Sequence, residues 1–387
     1  MSHAQDPPPE TPRPRKGRGA LSNPRPRFAE HDRAAVDDGW HGDLGSPGGA
    51  LPPGGLPHPG GADLEMPALR TRLHLDSARS ILSRNDSPDV PFDRSLNPYR
   101  GCQHGCIYCY ARPSHAYLGL SPGLDFETEI FYKPEAPALL RAELARPGYR
   151  PAPVALGSNT DAYQPSERHL EIARGLLRVL HEASHPVVVI TKSDLVLRDL
   201  DLLADLARER LAAVLVSITT LDSQLARRLE PRAAAPCRRL AAIEGLTAAG
   251  VPCGVLVSPV IPGLTDHEIE RILAAAAKAG ATQANHIILR LPLELGEIFQ
   301  AWLGAHYPDR ADKVLSLLRQ CRSGRLNDPR FGARMRGSGP IADLIAQRFA
   351  LAVRRLGLGA PGEAWDLATD RFVPPAPDGR QLSLGLG

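Results

Sequence analysis

The run NPYRGCQHGCIYCYAR, residues 97–112, places three cysteines, one histidine and two glycines close together. Cys102, Cys106 and Cys109 form a C-x3-C-x2-C pattern, which is short enough to direct three sulfur atoms to one point. Gly101 and Gly105 can adopt the positive φ angles that such tight wrapping often needs. The run could be a disulfide knot, a zinc site or the anchor of an iron–sulfur cluster.

The rest of the chain argues against the disulfide interpretation. No apolar run is long enough to span a bilayer, and the start MSHAQDPPPETPRPRKGRG lacks the apolar stretch of a secretory signal. We therefore expect a cytoplasmic protein with no membrane attachment, in which the six cysteines are thiols or metal ligands. The 387 residues, 43% of them hydrophobic, can bury a core large enough for an enzyme. The net charge of +3 decides little about partners.

The number of cysteines in the run is informative. A structural zinc site normally closes with four ligands, whereas a [4Fe-4S] cluster held by three thiolates leaves one iron for a substrate or cofactor. His104 inside the loop or His115 just beyond it could complete a zinc site, so the spacing alone leaves zinc open. The alternative to an enzyme is thus a non-catalytic nucleic-acid-binding module that holds zinc or an iron–sulfur centre.

A proline- and glycine-rich basic arm, residues 1–68, precedes the patterned part of the chain. It lacks apolar periodicity, and we expect it to be disordered or loosely docked. A run of basic residues without an intervening acid could contact the phosphates of nucleic acid, although a solvated tail is the commoner meaning of such runs. These residues are Arg13, Arg15, Lys16, Arg18, Arg25 and Arg27.

Beyond the arm, short Val- and Ile-rich runs alternate with amphipathic helical patterns. In residues 166–183, Leu170, Ala173, Leu177 and Leu180 share one helical face. The alternation indicates βα units around a parallel sheet, and a barrel and a doubly wound sheet both fit it. The predicted strands are ETEIFYK (127–133), PVALGS (153–158), PVVVITK (186–192), AAVLVSIT (212–219), CGVLVSPVI (253–261) and NHIILRL (285–291).

The strand pattern fades from about Glu297, and residues 297–387 are predicted to form a helical extension with a flexible tail. The tail segment QLSLGL resembles the short peptides that dock on the bacterial sliding clamp through apolar anchors. A chance Leu/Gly tail is the simpler interpretation of so short a pattern. The residues concerned are Gln381, Leu382, Leu384 and Leu386.

A resemblance to a known protein family extends these predictions of the fold and of the metal site. CQHGCIYC is similar to the signature of the radical S-adenosylmethionine (radical SAM) superfamily, C-x3-C-x-aromatic-C, with Tyr108 in the aromatic place. Five blocks between about Ser95 and Leu291 resemble the spore photoproduct lyase-like, or DNA repair photolyase, branch. They are NPYRGCQHGCIYCYARPSH, GSNTDAYQPSE, ITKSDLVLRD, LEPRAAAPCRRL and SPVIPGLTD. The resemblance implies an α/β fold with a partial (β/α)6 TIM-type barrel over residues 69–296, which settles the barrel question.

The resemblance also implies a chemistry. SAM would bind the open iron of a [4Fe-4S] cluster, accept an electron and break into methionine and a 5′-deoxyadenosyl radical that abstracts hydrogen from a substrate. An electron donor such as flavodoxin or ferredoxin follows from this scheme. The branch suggests nucleic acid as the substrate, although resemblance transfers chemistry better than substrate.

Residue roles follow from the resemblance and from position. The implied cluster ligands are Cys102, Cys106 and Cys109, and the ring of Tyr108 is expected beside the cluster and against adenine. Polar residues that follow successive strands are expected to contact SAM: Ser158, Asn159, Asp161, Lys192, Ser217 and Arg290. A self-bonded turn is the alternative for residues 158–161, and a solvated lysine is the alternative for Lys192.

One motif of the superfamily is missing. The Gly-Gly-Glu block usual after the second strand is not evident, and FYKPEAP stands in its place, with Lys133 and Glu135 as candidate substitutes. No hydrogen donor is assigned among Cys237, Cys253 and Cys321. Cys253 precedes its strand and is expected at the opposite end of the barrel.

Overall fold

The computed structural model of the chain describes residues 14–28, 69–359 and 365–376. The strands are β1 (Arg72–Leu75), β2 (Leu82–Arg84), β3 (Arg94–Leu96), β4 (Tyr99–Arg100), β5 (Glu129–Tyr132), β6 (Val154–Leu156), β7 (Val187–Thr191), β8 (Ala212–Ser217), β9 (Cys253–Val260) and β10 (Gln283–Ile288). The helices are α1 (Asp125–Thr128), α2 (Ala136–Leu144), α3 (Glu167–Leu170), α4 (Ile172–Glu182), α5 (Leu200–Arg208), α6 (Ser223–Leu229), α7 (Pro236–Ala248), α8 (Ile269–Lys278), α9 (Leu295–His306), α10 (Pro308–Gln320), α11 (Ala333–Arg336) and α12 (Pro340–Arg355).

The larger sheet has the order β10-β9-β8-β7-β6-β3-β2. Its strands from β3 to β10 are parallel, and β2 pairs antiparallel with β3 at one edge. Helices α5, α7 and α8 pack against β8 and β9, and the Val-rich strands are buried as expected for a covered parallel sheet. Six parallel strands in sequential order are the topology predicted for a partial (β/α)6 barrel.

One predicted strand lies in a different sheet. ETEIFYK contains β5, which pairs with β1 and β4 in a separate three-stranded sheet. The first parallel strand of the large sheet is instead β3, which was not predicted because Arg94 and Ser95 hide its buried character. The second parallel strand is therefore β6, so GSNTDAY, rather than FYKPEAP, occupies the place after it. Alternation of strands and helices predicts strands but not the sheet to which each belongs.

The helix predicted over residues 166–183 is divided into α3 and α4. The predicted apolar face is present, since Ala173, Leu177 and Leu180 are fully buried. The division falls at Glu171, whose φ of 49° lies in the left-handed region. The Glu167 carboxylate accepts hydrogen bonds from the N–H groups of Ile172 (3.1 Å) and Ala173 (2.9 Å), and so caps the new helix start.

Because the backbone at Glu171 is left-handed, we expect glycine to be more stabilising than alanine at this position. A side chain in this region costs about 1–2 kcal/mol, a cost that glycine does not have. We expect Glu171→Gly to unfold at a higher urea concentration than Glu171→Ala, by about 1 kcal/mol in the free energy of unfolding. Because alanine normally stabilises helices over glycine, an alanine variant that is the more stable of the two would contradict this backbone conformation.

The predicted helical C-terminal extension is confirmed by α9, α10 and α12. Helices α9 and α10 build a second apolar cluster beneath the cysteine run, in which Trp302 and Leu318 pack with Ile107 and Tyr108. Helix α12 packs on α8 and β10, and Gly359 bridges Gln283 at the outer edge of β10. The sliding-clamp residues Gln381, Leu382, Leu384 and Leu386 lie outside the described residues.

Residues 14–28 pack against the core, although they belong to the arm that was expected to be disordered or loosely docked. Ala20 is 0% and Leu21 6% exposed. We call this segment the N-terminal strap. Backbone hydrogen bonds hold it against the core. Such contacts do not require an apolar periodicity, so the sequence did not predict them. The remainder of the arm lies outside the described residues. Across the described ranges, no helix combines the length and apolar character needed to cross a membrane.

Candidate functional site

The cysteine loop, residues 101–112, follows the first parallel strand and lies at the carboxyl end of the sheet. Cys102 and Cys106 are buried and Cys109 is half-buried. Two successive turns wrap the loop, closed by hydrogen bonds from Gly105 N to Cys102 O (3.3 Å) and from Cys109 N to Cys106 O (3.2 Å). Cys109 packs against the apolar cluster of Cys102 and also against that of Cys106, so the loop brings the three cysteines together.

The thiol groups lie in a setting that suits metal–sulfur chemistry. The backbone N–H groups of His104 and Asp161 lie beside Sγ of Cys102 and favour its thiolate, as N–H groups near iron–sulfur centres do. Burial raises the pKa of Cys102 to about 12 and that of Cys106 well above its usual range. Metal binding would have to displace these protons. In the described ranges, no three His, Cys, Asp or Glu side chains are already gathered as metal ligands.

A buried guanidinium fixes the outer side of the cysteine loop. Arg112 is 0% exposed and donates hydrogen bonds to the carbonyl oxygens of Cys106 (2.8 Å), Gly105 (3.0 Å) and Gly123 (2.8 Å). Its charge is matched by Glu127, which is also fully buried. The loop backbone is thus held by an ion pair in addition to the apolar packing of Ile107 and Tyr108.

The N-terminal strap covers this ion pair. The Glu127 carboxylate accepts hydrogen bonds from Gly19 N (3.0 Å) and Ala20 N (2.8 Å), and Arg18 donates to the Glu127 carbonyl oxygen (3.0 Å). Gly19 approaches the loop so closely that a Cβ atom there would lie 2.0 Å from the Gly105 carbonyl oxygen. The strap therefore lies directly on the cysteine loop.

This close approach predicts that Gly19→Ala releases the strap. The Cβ atom would meet backbone, which cannot move aside as a flexible side chain could. We expect amide hydrogen exchange at Ala20 to become at least tenfold faster and trypsin to cleave sooner after Arg18. Gly304→Ala is the matched control, because a Cβ at Gly304 meets no atom within 4 Å. Unchanged exchange at Ala20 in Gly19→Ala would contradict the docked strap.

The inner side of the loop rests on a second buried ion pair. Glu230 (2% exposed) pairs with Arg239 (1% exposed) and also accepts hydrogen bonds from Tyr108 and from Thr219 (2.8 Å). Burial opposes ionisation of Glu230, but the charges of Arg239 and Lys192 outweigh it and lower its pKa. The Tyr108 ring is 6% exposed, so it forms a wall of the loop.

Asp161 joins three loops at the carboxyl end of the sheet. It accepts hydrogen bonds from Thr191 Oγ1 (2.8 Å) and Lys192 N (2.7 Å), and its carboxylate lies 3.3 Å from His104 Nδ1. Burial opposes its ionisation, but His104 and these donors hold the pKa of Asp161 at about 2. Its oxygens are thus occupied by protein groups, which gives Asp161 a role in positioning the cysteine loop.

Ser158 and Asn159 lie in a turn that is organised from the cysteine run. Asn97 accepts a hydrogen bond from Asn159 N (2.8 Å) and donates one to Ser158 Oγ (3.4 Å). Lys133 donates to the Asn97 carbonyl oxygen (2.7 Å), so it supports this turn. The Asn159 side chain makes no hydrogen bond within the described ranges and remains able to bind a ligand.

Two cations face the mouth of the sheet with unused donors. Within the described ranges, neither Lys192 Nζ nor the Arg290 guanidinium donates a hydrogen bond. Lys192 Nζ lies 5.9 Å from the centroid of the Tyr108 ring. Arg290 lies 4.9 Å from the ring centroid of Tyr110, which is 46% exposed, and burial lowers the pKa of Arg290. Ser217 ends β8 and is buried, with its carbonyl oxygen bonded to Arg239 (3.0 Å).

Comparison with known proteins agrees with this geometry. Residues 96–276 match the family model of the radical SAM superfamily. Uncharacterized proteins of Mycobacterium bovis and Mycobacterium tuberculosis are 39% identical over 233 residues, which are 60% of this chain and 68% of each relative. The chain belongs to the radical SAM superfamily. An uncharacterized protein of Methanocaldococcus jannaschii is 28% identical over 173 residues, 45% of this chain and 62% of that protein.

Solved structures of spore photoproduct lyase share the fold of this radical SAM chain. The lyase complexed with dinucleoside spore photoproduct has a TM-score of 0.53 at 17% identity, over 74% of this chain and 80% of the lyase. A variant with bound AdoMet and the same dinucleoside gives 0.53 at 16% identity, with the same coverage. This similarity confirms the predicted partial barrel. Radical SAM membership makes the chain an enzyme with a [4Fe-4S] cluster and SAM as cofactors.

Both histidines near the cysteine loop contact protein groups. His104 faces Asp161, and His115 Nε2 contacts the Glu129 carbonyl oxygen at 3.0 Å. His115 is fully buried, and burial lowers its pKa to about 4. Of the remaining cysteines, Cys253 and Cys321 are buried and Cys237 is exposed.

Several residues of the site were not predicted from the sequence. Glu230 and Arg239 lie in the quoted block LEPRAAAPCRRL, and Asn97, Tyr110 and Arg112 in NPYRGCQHGCIYCYARPSH. The block resemblance therefore contained a signal for them but assigned them no role. Glu127 had no signal, because its partners Gly19 and Ala20 are more than one hundred residues away along the chain.

Proposed function

We propose that Cys102, Cys106 and Cys109 hold the [4Fe-4S] cluster of this radical SAM enzyme and that its substrate carries phosphate, as nucleic acid does. The observation that supports the cluster assignment most directly is the buried thiol of Cys102, which faces two backbone N–H groups on a loop fixed from both sides. Three thiols on such a loop fit a cluster that keeps one iron for SAM.

The residues of the chain would bind and orient SAM around this loop. When bound, the cluster and SAM supply reductive cleavage to methionine and a 5′-deoxyadenosyl radical that takes hydrogen from the substrate. Lys192 has unused donors near Cys106 and Glu230, so it suits the carboxylate of SAM. Ser158 and Asn159 follow the second parallel strand, which makes them candidates for the amino group of SAM. Ser217 is a further candidate from the end of β8.

The proposal of a phosphate-bearing substrate rests on Arg290. This half-buried arginine has no acceptor among the described residues, and desolvated guanidinium groups need one. Tyr110 beside it presents an exposed ring on which a base could stack. A cation next to an open aromatic face suits a nucleotide better than a neutral or apolar substrate. The basic residues Arg18 and Arg27 do not add to this, because they bind Glu127 and Glu294 within the chain.

The cluster assignment predicts that Cys102→Ser, Cys106→Ser and Cys109→Ser each lose the brown colour and visible absorbance of anaerobically reconstituted protein. Each variant should release at least a hundredfold less 5′-deoxyadenosine from SAM with dithionite, because serine is a poor ligand for iron–sulfur clusters. Cys237→Ser is the matched control and should behave as the parent, since Cys237 is exposed on α7. A colourless parent protein that contains one zinc and releases no 5′-deoxyadenosine would refute the proposal.

The substrate assignment predicts that Arg290→Gln weakens binding of single-stranded DNA or RNA about tenfold, or about 1.4 kcal/mol. The slope of the logarithm of the affinity against the logarithm of the salt concentration should also decrease by about one, because one fewer counterion is released. Arg325→Gln is the matched control, because Arg325 is an exposed arginine of the C-terminal extension. SAM affinity should be unchanged. If Arg290→Gln loses SAM affinity while nucleic-acid binding persists, Arg290 belongs to the SAM site and not to the substrate site.

A further inference from the structure

A polar cavity of about 220 Å³ opens beside the cysteine loop. His104 lies in its wall, together with Arg168, Arg232 and Arg238 and one acid, Asp194. We call this feature the basic cavity. We propose that the basic cavity and its rim are the docking surface for an acidic protein that carries one electron to the cluster.

The charge of this surface favours an acidic partner. Arg168 is exposed, and its guanidinium group donates no hydrogen bond within the described ranges. Arg238 is paired with Asp194 at 3.0 Å, but its side chain is 70% exposed, so that ion pair is weak and can exchange for a partner carboxylate. Arg232 and Arg18 both donate to Thr71 Oγ1, at 3.1 Å and 3.3 Å. The three arginines of the cavity thus face a single acid of the cavity wall.

The basic cavity also offers a short route to a cluster ligand. His104 lines the cavity, and its backbone N–H lies beside Sγ of Cys102. Its carbonyl oxygen accepts a hydrogen bond from Arg232 N (3.2 Å), which joins the cavity rim to the same backbone. An electron that arrives at the rim would therefore reach a thiolate through one residue of the cysteine loop.

The other sides of the cysteine loop are covered in the part of the chain that the structure describes. The strap and the Arg112–Glu127 pair cover the outer side. Tyr108, Glu230 and Arg239 cover the inner side. The mouth beside Tyr110 and Arg290 would be filled by SAM and substrate. Among the described residues, the basic cavity is the remaining approach to the cysteine loop.

This inference rests on the proposed function, because that function needs an electron from outside the chain. In the transfer step one electron leaves the reduced carrier, which is oxidised by one unit, and the cluster changes from the 2+ to the 1+ state. No covalent bond is made or broken. Electron-transfer complexes have small interfaces, and charge complementarity mainly raises their rate of association. Exposed arginines around a shallow opening suit such an encounter.

The test uses the reconstituted holoprotein and a reduced flavodoxin, with cluster reduction followed by stopped-flow absorbance. The double variant Arg168→Glu/Arg238→Glu should lower the second-order rate constant at least tenfold at low salt. The parent rate should fall steeply with added salt, and that of the variant should not. Binding of oxidised flavodoxin, measured by calorimetry, should weaken in parallel. Arg354→Glu/Arg355→Glu is the matched control, because these exposed arginines end α12, which packs on α8 and β10.

Dithionite separates failure of this inference from failure of the proposed function. If dithionite and SAM give no 5′-deoxyadenosine with the parent protein, the proposed function fails, and the docking proposal fails with it. If dithionite supports turnover but flavodoxin reduces the double variant at the parent rate and with the parent salt dependence, the docking proposal alone is overturned. Calorimetric binding of inorganic phosphate that is lost in the double variant, with flavodoxin rates unchanged, would assign the cavity to a small anion and overturn docking as well.

Discussion

The cysteine loop depends on one buried guanidinium. Arg112 directs its five N–H donors to four backbone carbonyl oxygens and to the carboxylate of Glu127. Breaking such a buried pair by removing one partner typically costs about 3–5 kcal/mol. Apolar packing anchors Ile107 and Tyr108, but the backbone carbonyl groups around the glycines need polar partners to hold their positions. The ion pair therefore supplies the rigidity that a metal centre needs before the metal is present.

Buried carboxylates that accept several hydrogen bonds also support the inner side of the loop and the neighbouring strand ends. Glu230 with Arg239 supports Tyr108, and Asp161 ties His104 to the end of β7. Each carboxylate is buried and nearly saturated with donors, which makes it a strong orienting element and a poor ligand for anything else. Burial at the carboxyl end of a barrel sheet is therefore not enough to identify a SAM contact, because several polar residues there are already occupied by the scaffold.

Local patterns in the sequence predicted the parts of the structure that have a local cause. The C-x3-C-x2-C spacing predicted the chemistry only together with the family resemblance. The periodicity around Leu177 predicted a buried helical face because neighbouring turns share it. The strap, the role of Glu127 and the placement of β5 were not predicted. Each of these depends on a polar contact or a strand pairing between distant parts of the chain, and such contacts leave no periodic trace. Asp161 was predicted to contact SAM, and its partner His104 in the cysteine loop was not predicted.

Buried and half-buried cations fall into two groups. Those of the scaffold donate their hydrogen bonds to protein acceptors, whereas those of the candidate ligand site do not. Arg112 and Arg239 are saturated by protein acceptors, and so is Arg322, whose guanidinium donates to the carbonyl oxygens of Ile288, Leu289 and Ala333 at the end of β10. Lys192 and Arg290 lie at the same end of the sheet, but their donors are unused among the described residues. A cation that is partly desolvated without an acceptor costs free energy, and that cost is removed when an anion binds. We therefore propose that Lys192 and Arg290 mark two places for anionic groups, one near Cys106 and one near Cys109.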